Sequence, residues 1–233
     1  MKNSLLTLPS LEDVIRLLRA WRFWVLGALL GGALGAGVYA VFPPEYRAQA
    51  TVSVDFNVEQ AWPDSPDTQR FYSLDRESRK LVEVAWADAS LQSVAAKTGI
   101  SVSVLRSGKL ELSQPQDGGW RFYATDPQRD VAGQLASAWA EAFYAQVQQG
   151  IQTDVALSAA RKALEANPTD EKLESAVNGL EAKSLGVTPE LQVSLLQSKD
   201  LPITRKTGQG TYVLAGAGLL LALGALGILF LKK

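Results

Sequence analysis

Phe23–Phe42, FWVLGALLGGALGAGVYAVF, is a run of 20 residues without a charge. As a helix rising 1.5 Å per residue it would be about 30 Å long, the thickness of a bilayer's hydrocarbon core. A second run, Thr211–Leu231, is 21 residues long, also uncharged, and stops at Lys232 and Lys233. Both read as membrane spans. Val38 and Ala40 could form a signal-peptide cleavage site, but the apolar core of a signal peptide is only about 7 to 15 residues long, so the first run reads as an uncleaved anchor.

The basic residues set the expected orientation. Lys2, Arg16, Arg19 and Arg22 precede the first span and Lys232 and Lys233 follow the second, so both termini are expected to face the cytoplasm. Arg205 and Lys206, just before the second span, pull weakly the other way, which a long translocated domain tolerates. The expected organisation is a cytoplasmic segment 1–22, a span 23–42, an extracytoplasmic domain 43–210, a span 211–231 and a cytoplasmic tail 232–233. Of the 23 Lys and Arg six lie outside the central segment, and of the 24 Asp and Glu two do, which leaves that segment mildly acidic with 17 against 22. Such a charge balance argues against a nucleic-acid partner. The chain has no cysteine and no histidine, so disulfides, thiolate nucleophiles, the usual zinc sites and imidazole bases are excluded.

Within the central segment, Tyr46, Ala48, Ala50, Val52, Val54 and Phe56 alternate with polar residues, which predicts a strand with one buried face. Trp62–Asp67 reads as a loop. Two short helices are expected next, one through Leu74, Leu81, Val84 and Ala85, the other from Asp88 to Lys97 with Gly99 as terminator. Lys109–Ser113 and Trp120–Thr125 read as a hairpin around Pro115, Asp117, Gly118 and Gly119. Asp126 and Pro127 are expected to cap and open a long helix. On it Val131, Leu135, Trp139, Phe143, Val147, Ile151 and Val155 recur every four residues, a row that drifts about 40° per step. The early turns should lie on the sheet, and Ile151 and Val155 should find a second partner, either a returning helix or a neighbouring subunit. Asn167 and Pro168 break the helix, Thr169 or Asp170 restarts one to Lys183, and Leu191–Gln197 returns as a strand. The expected fold class is α+β, with a small mixed sheet and a long helical hairpin between two transmembrane helices.

Several features resemble the chain-length determinant family, the Wzz-type polysaccharide co-polymerases. They are the amphipathic run Leu11–Arg19 with Trp21 and Arg22 leading into the span, Pro43-Pro44-Glu45-Tyr46-Arg47-Ala48 before the first strand, and Thr125-Asp126-Pro127 before the alanine-rich helix of Ala132, Ala136 and Ala140. Only Pro189 and Pro202 stand where the family is proline-rich, and the helical region is short. No phosphate-cradling loop or tyrosine-rich tail is present. The resemblance therefore implies a kinase-free, non-enzymatic scaffold: a homo-oligomer in the cytoplasmic membrane that sets surface-polysaccharide length with a polymerase acting on lipid-linked glycan. The alternatives from other classes are a sensor or adaptor recruiting cytoplasmic partners and a carbohydrate-active hydrolase.

Candidate functional residues follow from the same patterns. Gly27, Gly31 and Gly35 at intervals of four favour close helix pairing within or between subunits, with Gly218 and Ala222 a weaker match on the second span. Arg16, Arg19 and Arg22 form a basic helix end suited to the membrane surface, and Arg205 and Lys206 could meet lipid-linked pyrophosphate or headgroup phosphate. Ile151 and Val155 are the oligomer-interface candidates, with Asp154 expected to be solvated. No catalytic, cofactor or metal residues are expected. Lys97-Thr98-Gly99 and Lys206-Thr207-Gly208 match one penicillin-binding-protein element, but the Ser-x-x-Lys nucleophile is absent. Asp64, Asp67, Asp75 and Glu77 near Trp62, Phe71 and Tyr72 carry no spacing that sets up paired acids, so they read as a solvated surface.

Overall fold

The computed structural model describes residues 21–61, 63–64, 66–114, 119–197 and 200–230. Arg16, Arg19, Trp62, Pro115, Asp117, Gly118, Lys232 and Lys233 lie outside them. The chain divides after Glu45 and before Arg205 into two compact units.

The first unit is a pair of helices, α1 (Trp21–Val41) and the last helix of the chain, Gln209–Phe230. Both are long and apolar enough to cross a membrane. Their large side chains point outward: Phe23, Leu26, Leu30 and Leu34 on one and Leu214, Leu219 and Leu223 on the other are exposed, while Gly31, Gly32 and Gly35 are buried. Small residues inside and large ones outside is the reverse of a water-soluble helix pair and the arrangement suited to lipid.

The second unit is α+β. Strand β1 (Tyr46–Asp55) is followed by the one-turn helix α2 (Val58–Ala61), α3 (Asp67–Trp86) and α4 (Asp88–Thr98). Then come a helical turn α5 (Val102–Val104), a wide turn at Leu105–Lys109, and strands β2 (Leu110–Ser113) and β3 (Gly119–Asp126). The long helix α6 (Arg129–Ala166), α7 (Glu171–Glu181), β4 (Gln192–Gln197) and the short β5 (Ile203–Arg205) complete the order, and the closing apolar helix is α8. The strands form one antiparallel sheet in the order β2-β3-β1-β4, and β5 also pairs with β1.

The alternation read from the sequence sets the sheet's two faces. Ala48, Ala50, Val52 and Val54 are buried, and the residues between them are only partly covered. Across β1 and β3, Ala50 lies opposite Phe122 and Val52 opposite Trp120. The alanines leave room for aromatic rings, which α6 fills. Trp139 meets Phe122 edge-on at 4.9 Å, and Phe143 stacks on Trp120 at 5.5 Å. This aromatic layer joins α6 to the sheet, with Leu81 of α3 and Leu91 and Val94 of α4 closing the core.

Three expectations need correction. The sheet is antiparallel and not mixed, because β3 returns against β2 and both β3 and β4 run against β1. The first of the two short helices is a 20-residue α3, which ends where Ala87 turns extended before α4. Gly99 does stop α4, in the left-handed region at φ 72° with its N–H on Ala95 O at 2.8 Å. Asp126 does not cap α6, which starts at Arg129 with Gln128 at the cap position. Its carboxylate is drawn to Lys109 Nζ at 2.6 Å and accepts from the Gln128 N–H at 2.9 Å, so Asp126 ends the strand and holds the corner instead. At the far end Asn167 caps α6, and Asp170 receives the N–H groups of Lys172 and Leu173 at the start of α7. These two ends make the helical hairpin.

Candidate functional site

The glycines of the apolar helix pair are in contact within one chain. A Cβ on Gly31 would fall on the backbone of Gly216 and Ala217, one on Gly35 would fall on the Tyr212 carbonyl, and one on Gly216 would fall on the Gly31 carbonyl. A Cβ on Gly27 would lie 3.9 Å from the Leu221 side chain, at the loose end of the row. Gly218 is replaced in this role by Gly216: nothing approaches within 4 Å of a Cβ placed on Gly218. Residues 215–218 are all small, so any face of that turn could have offered a glycine or alanine, and only the register of the partner helix selects Gly216.

The end of the pair from which the chain leaves α1 and returns to α8 is tied by polar groups. Arg205 Nη1 donates to Pro44 O at 2.9 Å and the guanidinium lies over the Tyr39 ring at 5.6 Å. Tyr39 in turn meets Tyr212 edge-on at 5.4 Å. The Lys206 N–H donates to Glu45 O at 2.9 Å, leaving its side chain exposed. Arg205 and Lys206, adjacent in sequence, therefore do different work: the first closes the hairpin and the second presents its charge outward. Tyrosine and arginine at this level fit a membrane–water interface. Arg22 is at the other end of α1, beside its neighbour Trp21.

On the upper part of α6 the structure separates the two interface candidates. Ile151 is partly buried against the domain's own core, whereas Val155 is 51% exposed. The buried stripe instead runs through Val147, Gly150, Asp154 and Leu157, and Leu157 and Val177 are both buried where α6 and α7 pack. Steps alternating between three and four follow a 3.6-residue helix better than the strict row of fours. Asp154 is the clearest correction: it is 8% exposed and not solvated. It accepts from Ser184 Oγ and, at 3.2 Å, from the Val187 N–H, and Ser184 Oγ accepts from the Gly186 N–H. A buried carboxylate with two partners in one loop, one of them itself held by the Gly186 N–H, pins the return from α7 to β4 onto α6. Lys80 reaches the same loop at Gly186 O while pairing with Glu77 at 2.9 Å.

The acids considered for glycoside chemistry are largely placed in helix α3. Asp75 pairs with Arg79 at 2.7 Å, and Glu77 is buried beside Lys80. Phe71 and Tyr72 are exposed. A groove of 380 Å³ runs past Phe71, Asp75, Phe56 and Gln114, and another of 700 Å³ is lined by Lys97, Arg129, Glu141 and Asp200. In the latter Lys97 and Glu141 pair with each other at 3.0 Å. Among the described residues no group of acids, histidines or cysteines is arranged to hold a metal ion.

No protein-family model and no curated protein matches the chain. The functional reading therefore rests on residues and architecture.

Proposed function

We propose that the chain is a kinase-free, co-polymerase-like membrane scaffold that acts by surface and geometry to set the length of a surface polysaccharide, as a homo-oligomer beside its polymerase. The observation that carries this reading is the insertion of an α+β domain with a long helical hairpin between two membrane-length helices closed by glycine contacts. Both ends of the domain are continuous in sequence with that pair. Two of the acids weighed for hydrolase chemistry, Asp75 and Glu77, are engaged in ion pairs along α3, which favours a surface role over turnover. On this reading both termini face the cytoplasm, as the basic residues at the chain ends direct.

Two experiments test it. Single cysteines at Ser4 and Ser107 are expected to differ in intact spheroplasts, with an impermeant reagent labelling Ser107 alone; labelling at Ser4 alone would reverse the topology. Deleting the chain is expected to change the length distribution of surface polysaccharide on a gel, and Val155→Asp is expected to change it in the same direction without loss of folded protein. Val155 is preferred over Ile151 because a charge at Ile151 would also enter the domain's own core. An unaltered length distribution in the deletion strain would overturn the polysaccharide reading.

A further inference from the structure

The helix pair carries a groove of 430 Å³ on one side, and its position along the helices is informative. Its walls are Leu34 and Val38 of α1 and Ala215 and Leu219 of α8, over a floor at Gly35 and Gly216. Thr207 and Thr211 stand at one end, and Lys206, which precedes Thr207 in the chain, has an exposed side chain. At the other end the lining stops at Leu220. From Thr211 to Leu220 is about 14 Å along a helix, close to half of a hydrocarbon core about 30 Å thick. The groove thus has the length of one leaflet, with threonines at the end that a lysine adjoins in sequence and only apolar surface at the other.

We infer that this groove holds the acyl chain of a phosphate-bearing lipid, whose phosphate sits at Lys206, Thr207 and Thr211. A second transmembrane helix would call for a trough that continues along the pair, and this one ends halfway. A chain from a single leaflet needs no continuation. The polarity of the mouth matches an anionic headgroup, since the first turn of α8 leaves amide N–H groups directed out of the helix, at its positive end. Lys206 adds a full charge there, while Arg205 is turned to Pro44 and Tyr39. The glycine contacts set the floor: the close approach of the two backbones at Gly35 and Gly216 brings the larger side chains around them into two facing ridges. This inference rests on the membrane-embedded reading of the helix pair and does not depend on the polysaccharide reading.

The full chain would be reconstituted in phosphatidylcholine nanodiscs containing a small share of phosphatidylglycerol with a photoactivatable diazirine on its acyl chain. Labelling is expected on the peptides that carry residues 34–38 and 211–220. Ala215→Phe, which fills the groove, should abolish that labelling, and Leu214→Phe, at a position 74% exposed and outside the groove, should leave it unchanged. Lys206→Gln should lower it by about fivefold, the worth of one lysine near an anionic lipid surface. Even labelling that extends to Leu223 and Leu226 and ignores Ala215→Phe would overturn the inference. So would disulfide dimers of Ala215→Cys formed in place of lipid labelling, which would assign the groove to a second copy. A chain that fails to enter the nanodisc would remove the membrane reading and this inference together, leaving the polysaccharide-length test to be judged by itself.

Discussion

Gly31→Leu is expected to push the two membrane-length helices apart. A Cβ at this position already falls on the Gly216 carbonyl, and both partners are backbone, so no side chain can swing aside to relieve the overlap. Overpacking a filled interior costs about 1–3 kcal/mol, and contact with backbone places this case toward the upper part of that range. In lipid the loss is felt directly, because helices there associate through close packing rather than through exclusion of water. Gly37→Leu is the matched control, since a Cβ on Gly37 meets nothing within 4 Å. Spin labels on Leu26 and Leu223, both exposed, are expected to show a longer and broader distance in Gly31→Leu and an unaltered one in Gly37→Leu. Equal behaviour of the two variants would mean that the glycine contact does not hold the pair. Because Gly31 is occupied inside one chain, any effect on assembly between copies would follow from the disturbed hairpin.

The difference between Gly216 and Gly218 shows where reading the sequence stops. A spacing of four marks α1 as a contact surface, since the helical period alone puts Gly27, Gly31 and Gly35 on one face. It cannot choose among four consecutive small residues on the partner, because that choice depends on how the two helices are offset. The sheet shows the same division. The alternation from Tyr46 to Phe56 identifies β1 and its buried face, but β5 is only three residues long and has no periodicity to detect. On α6 the row of fours is visible as far as Val147. Beyond that point the packed face is decided by α7 and the loop after it, which choose Gly150, Asp154 and Leu157. Asp154 was the hardest to read, because an aspartate in a polar stretch of helix has the same appearance whether it faces water or accepts from a loop 30 residues later. The Asp126-Pro127 pair has the appearance of a helix start for a similar reason: its carboxylate meets Lys109 and the Gln128 N–H, and the helix begins only at Arg129.

Trp139→Ala is expected to be the most damaging single change in the central domain. Trp139 is fully buried, its indole N–H donates to Ala85 O at 2.8 Å, and its ring lies 4.8 Å from Trp86 and 4.9 Å from Phe122. One side chain therefore joins α6 to the end of α3 and to the central part of β3. Truncation to alanine removes the apolar contacts and leaves a cavity, at about 3–5 kcal/mol, and strands the buried Ala85 carbonyl at about 1–3 kcal/mol more. Against a total domain stability of about 5–15 kcal/mol, that is enough to unfold a marginal protein. Trp139→Phe should cost less, since it keeps much of the ring and loses the N–H. Amide hydrogen exchange on the detergent-solubilised chain is the direct measurement. Protection should fall together in the first half of α6, in α3 and in β3 for the alanine variant, while the membrane helices keep theirs. On the proposed polysaccharide-length reading, the comparison with Val155→Asp then separates the two ways in which length control can be lost. The core variant should lose it only as folded protein disappears, and the surface variant should lose it with exchange protection intact. Full protection in Trp139→Ala would show that the aromatic layer does not join α6 to the sheet, and the long helix would then need another anchor for whatever surface it presents.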